Sequence, residues 1–88
     1  MTHEELYNLF EKVVDTVNKY TTYHCDYYCN NEIWREDGMG VSFEVHVHSD
    51  QGEGADWTED WSIDSDGKIY AHSEIYNDFE TFSKDWTW

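Results

Sequence analysis

At 88 residues, with aromatic side chains making up 18% and twenty Asp plus Glu set against five Lys plus Arg, the chain reads as one small, acidic, ring-rich domain spanning residues 1–88. A formal charge of -15 repels nucleic acid and anionic membranes, which excludes direct nucleic-acid binding in the absence of bridging metal ions, and it attracts basic partners. No apolar run approaches the ~18 residues of a membrane span, no secretion signal opens the chain, and two cysteines are too few for a disulfide framework, so a reduced, cytoplasmic protein is expected.

In chain order, Thr2 to Glu5 fits a capping box, and Leu6, Leu9, Phe10, Val13, Val14, Val17 and Tyr20 then recur at helical spacing. A helix from about residue 3 to 20 is predicted, with one apolar stripe to cover a sheet. Next, TTYHCDYYC is β-rich, with Tyr23, Cys25, Tyr27 and Cys29 on one side. Asn30-Asn31 interrupts this pattern and Ile33-Trp34-Arg35 resumes it, as two short strands or one long bulged strand, before Asp37-Gly38 proposes a two-residue hairpin turn.

Val41, Phe43, Val45 and Val47 alternate with Ser42, Glu44, His46 and His48, which predicts a strand buried on one face and wet on the other. After the acidic loop Asp50 to Asp56, Trp57, Glu59, Trp61 and Ile63 take the inward positions of a second such strand, with Glu59 expected near an edge where it reaches water. Asp64 to Lys68 reads as a three-residue turn closed by a left-handed Gly67. Ile69, Ala71, Ser73 and Ile75 then point inward and Tyr70, His72 and Glu74 outward, as one strand. Asn77 and Glu80 signal a cap for a short helix that buries Phe79, Phe82 and Trp86. The expected class is α+β: an N-terminal helix, a three- to four-stranded antiparallel sheet and a short C-terminal helix, with the helices on one face of the sheet.

One permitted register places His46 opposite Asp60 and His48 opposite Thr58, gathering Glu44, His46, His48, Asp60, Asp64, His72 and Glu74 on the wet face. His46, His48, His72 and Asp60 there form the alternative of a metal site, since imidazole and carboxylate suit transition ions. A solvated face whose histidines moderate carboxylate repulsion explains the same residues and is preferred, so no metal or other cofactor is expected. CDYYC lacks the two-residue spacing of zinc knuckles and redox sites. SIDSDGKIYAHS imitates a calcium loop but has Ser73 where the bidentate Glu belongs. With no GxSxG, no phosphate loop and no orientated Cys/His pair, no enzymatic activity is expected.

What remains is the acid. Ser49 to Gly67 carries seven carboxylates and no Lys or Arg, yet holds Trp57, Trp61 and Ile63 at strand spacing, so the block is folded as well as charged. Such acidity also serves solubility, although small domains stay soluble at net charges of about 2–8. Alternate strand residues repeat every ~6.6 Å, close to every second phosphate of a DNA strand at ~3.4 Å each. In its charge of -15, its Asp50 to Asp66 block with Trp57 and Trp61, and its helix, antiparallel sheet, helix order, the chain resembles the small acidic inhibitors that phages make against host nucleases, including DNA-mimic and anti-CRISPR proteins. That resemblance implies stoichiometric inhibition by occupying the nucleic-acid groove of a CRISPR effector, restriction enzyme or related nuclease, in the host cytoplasm. The expected contacts are Asp50, Glu53, Asp56, Asp60, Asp64 and Asp66, flanked by Glu44 and Glu74. An immunity or antitoxin partner of a basic toxin would share this chemistry.

Overall fold

The computed structural model describes residues 1–20, 25–49 and 56–86. Helix α1, His3–Lys19, starts at the expected capping box: the Thr2 hydroxyl accepts from the Glu5 amide at 3.1 Å, and the Glu5 carboxylate accepts from the Thr2 amide at 2.8 Å. Strands β1, Cys25–Trp34, β2, Val41–Ser49, and β3, Trp57–Ile63, follow, then β4, Ile69–Ala71, and β5, Glu74–Tyr76, and finally helix α2, Phe79–Asp85. The strands form one antiparallel sheet in the order β1-β2-β3-β4-β5.

Five strands replace the expected three or four because the segment after Gly67 is a hairpin and not one strand. His72 and Ser73 both take positive φ, at 49° and 66°, which is the conformation of a two-residue turn whose twist matches its flanking strands. Residues facing each other across such a turn share a side, so Glu74, opposite Ala71, lies on the helix side, and Ile75, opposite Tyr70, lies on the other. Both assignments reverse the expectation, and Ile75 is 60% exposed where it was expected to be buried.

β1 is one long strand whose register shifts between Asn30 and Ile33, with Asn31 at φ 55° forming the bulge. The turn after it is longer than two residues: the Arg35 amide donates to the Gly40 carbonyl and the Gly38 amide donates to the Arg35 carbonyl. The β3–β4 turn is as expected, with Gly67 at φ 83° and its amide donating to the Asp64 carbonyl. Asp78, not Asn77, caps α2, accepting from the Thr81 amide at 2.7 Å.

The core is what the period-2 and period-3.6 stripes dictate. Leu6, Leu9, Phe10, Val13 and Val17 of α1 meet Val41, Phe43, Val45 and Val47 of β2, and α2 adds Phe82. Trp61 is the hub: its ring lies edge-on to Phe43, Phe82 and Trp86 at 6.2, 5.9 and 5.5 Å, geometry that suits the aromatic quadrupole. Both helices therefore cover one face of the sheet and leave the other to solvent. Among the described residues no helix is long and apolar enough to cross a membrane.

Candidate functional site

Alternation fixes what the uncovered face displays. β1 contributes Asp26, Tyr28 and Asn30, β2 contributes Ser42, Glu44, His46 and His48, and β3 contributes Thr58, Asp60 and Ser62, with Tyr70 and Ile75 beyond. No Lys or Arg occurs within any of the five strands. Three of the five cations, Lys12, Lys19 and Lys84, belong to the helices. Arg35 lies just past β1 with a guanidinium nitrogen 3.6 Å from Asp37, and Lys68 follows the β3–β4 turn.

The register between β2 and β3 differs from the one expected. Glu44 faces Asp60, and His46 faces Thr58. Two carboxylates directly opposite each other on an antiparallel pair have Cβ atoms about 4.5–5.5 Å apart and repel. Glu44 is held on one side by the Asn31 side-chain amide, which donates to Oε1, and has His46 Nε2 at 3.5 Å from the same oxygen. That His46 nitrogen is buried and makes no hydrogen bond. Asp60 makes no hydrogen bond or ion pair among the described residues.

Around this pair, Tyr28 stacks on His46 with ring centroids 4.9 Å apart and planes 5° from parallel. Thr58 Oγ1 lies 3.3 Å from His46 Nδ1. At one end of the face Asp56 accepts from the Ser49 amide at 3.0 Å and has His48 Nδ1 within 3.2 Å; the Ser49 amide above all holds its carboxyl below the usual range, burial opposes it, and His48 adds to the lowering. At the other end, burial works against the Asp64 carboxylate. Donation from the Lys68 amide, the Tyr70 hydroxyl and the Asp66 amide outweighs it and lowers the pKa.

Of the residues expected to meet a partner, then, Glu44 and Asp60 stand side by side on the open face, with Asp56 and Asp64 at its two ends. Asp66 lies in the turn beside Gly67, which approaches Met1 and Leu9 of the helical layer, and Glu74 is on the helix side. Asp50 and Glu53 fall outside the described residues. Asp26 joins the face unannounced. Its signal was present in sequence, because the inward run of Cys25, Tyr27 and Cys29 forces Asp26 outward.

The four residues of the metal alternative are not brought together. His72 Nδ1 lies 2.9 Å from Glu59 Oε2 on the helix side, away from His46, His48 and Asp60, because the turn at His72 ends the strand. Among the described residues no three of His, Cys, Asp and Glu are grouped to hold an ion. Glu59, the exception to its strand's pattern, is explained by the same contact. Its carboxylate also accepts from the indole nitrogens of Trp61 at 3.1 Å and Trp57 at 3.4 Å, so a half-buried charge is matched by donors. Burial pushes the Cys29 thiol up to about 12, which keeps it protonated and unreactive at neutral pH.

Comparison of the chain with family models, with curated proteins and with solved structures found no match.

Proposed function

We propose that this protein is a non-enzymatic acidic inhibitor that mimics nucleic acid and occupies the basic DNA- or RNA-binding groove of a nuclease, such as a CRISPR effector or a restriction enzyme. The observation that supports this reading best is the facing pair Glu44 and Asp60 on a sheet face whose strands carry no Lys or Arg. Folding alone does not call for that arrangement. Like charges directly opposite cost stability in the free protein, and a partner's Arg and Lys would relieve the cost. Asp26, Asp56 and Asp64 extend the negative surface, and the exposed rings of Tyr28 and Tyr70 supply the kind of side chain enriched at binding hot spots.

Bidentate arginine pairs would contribute most of the affinity, since phosphate-binding grooves are built from the same forks that grip carboxylates. The test is capture of a basic nuclease from a bacterial lysate on immobilised protein, repeated with rising salt and with excess double-stranded DNA. Mimicry predicts that both release the same bound protein. A complex that forms equally well on nuclease already loaded with nucleic acid, or that ignores salt, would contradict it. Release by salt alone, with DNA ineffective, would favour the immunity-type relation to a basic toxin.

A further inference from the structure

We infer that a trough on the open sheet face seats one arginine side chain of the basic protein partner. The inference rests on the basic-partner reading above and adds where the partner is read and by which chemistry. One rung of the sheet runs Ile33, Ser42, Ser62, Tyr70, each directly opposite the next. Two small serines therefore lie beside a large side chain, Ile33 at 70% exposure, so the rung drops from Ile33 to its middle.

The next rung along β2 and β3 is the Glu44 and Asp60 pair, so the low floor of serines leads to two carboxylates. The resulting depression has a volume of about 470 Å³ and is bounded on the β1 side by the bulge at Asn31. Ile33 forms its exposed apolar wall, Ser42 and Ser62 its floor and the two carboxylates its end, a layout that matches a side chain with an aliphatic stem and a cationic head.

Arginine fits this layout better than lysine. Its guanidinium is a planar fork with five N–H donors, able to bridge two acids that arise from neighbouring strands, and it is weakly enough hydrated to lie against Ile33. An ammonium is a compact, strongly hydrated point charge and gains little from that wall. The acids are prepared unequally: Asn31 already occupies one oxygen of Glu44, which fixes that carboxylate, while Asp60 is unengaged among the described residues. The chain's own Arg35 is turned to Asp37 and does not supply the missing cation.

The test is an amide NMR titration of the whole protein with a blocked Gly/Ser pentapeptide carrying one arginine, alongside its lysine counterpart. The arginine peptide is expected to shift amides of Asn31, Ser42, Glu44, Asp60 and Ser62 and to bind at least about threefold tighter than the lysine peptide. E44Q/D60N should weaken it by about tenfold or more, and Ile33→Ser by a smaller factor, while the charge-matched helix variant E4Q/D85N leaves it unchanged. Equal affinity for both peptides, or shifts spread over the whole acidic surface, would overturn the seat. The two claims fail separately. If the captured nuclease binds E44Q/D60N as well as wild type but is still displaced by DNA, the seat is wrong and mimicry stands. If the arginine peptide binds locally but DNA never competes with the captured protein, mimicry is wrong and the seat stands.

Discussion

The two faces of the sheet were assembled under different constraints, and β3 displays both within adjacent residues. Trp61 points into the helical layer, buried to 1% exposure and ringed by Phe43, Phe82 and Trp86, where every neighbour depends on its volume. Asp60, the preceding residue, points the other way and touches no partner among the described residues, while Glu44 repels it from the next strand. The covered face holds what the fold requires. The open face holds a facing carboxylate pair that contributes nothing to packing.

That contrast can be broken or sharpened by substitution. Trp61→Ala should cost about 3–5 kcal/mol, a large share of the stability of so small a domain, and is expected to abolish the cooperative thermal transition. E44Q/D60N should do the opposite. It removes the facing repulsion and should raise stability by a few tenths of a kcal/mol, about 1–4 °C in Tm, while reducing arginine-peptide binding about tenfold.

Gly67→Ala probes the joint between the faces: φ is 83° there, and an added Cβ would lie 2.8 Å from Met1 Sδ, so a loss of about 1–2 kcal/mol in urea melts is expected. Ser73→Gly relieves the positive φ of the β4–β5 turn and should stabilise by up to about 1 kcal/mol, leaving the open face unaltered.

The smallest effect is predicted for Tyr70→Phe, which keeps the ring but removes a hydrogen bond to Asp64. The Asp64 pKa is lowered in the folded protein, so the associated stability is present above the unfolded carboxylate value of ~3.9 and is lost as pH falls through the folded value. Tyr70→Phe should thus be marginally less stable than wild type at neutral pH, and the gap should close in strong acid, as read from urea melts across pH.

Sequence carries the covered face well because burial on one side imprints a period. α1, β2 and β3 are legible from the spacing of Leu6 to Val17, of Val41 to Val47 and of Trp61 to Ile63. The β4–β5 hairpin is not, because His72-Ser73 adopts a turn normally announced by Asn-Gly, and that one omission misplaced Glu74, Ile75 and His72 together. The β2–β3 register escaped for a different reason. A slip of two residues leaves every side chain on its own face, so hydrophobic alternation cannot choose between Glu44 and His46 as the partner of Asp60. Alternation did place Glu44 and Asp60 on a common surface. Acid density alone drew Asp66 into the expected site and passed over Asp26, because charge counted along the chain ignores which way a strand residue points.

The most direct test of the account compares two variants that lose the same charge from opposite sides of the molecule, E44Q/D60N on the open face and E4Q/D85N on the helices, in capture of the same basic nuclease at one salt concentration. The open-face variant should lose capture by about tenfold or more while E4Q/D85N stays near wild type. Equal weakening of both would mean that total charge, and not the open sheet face, governs what this protein binds.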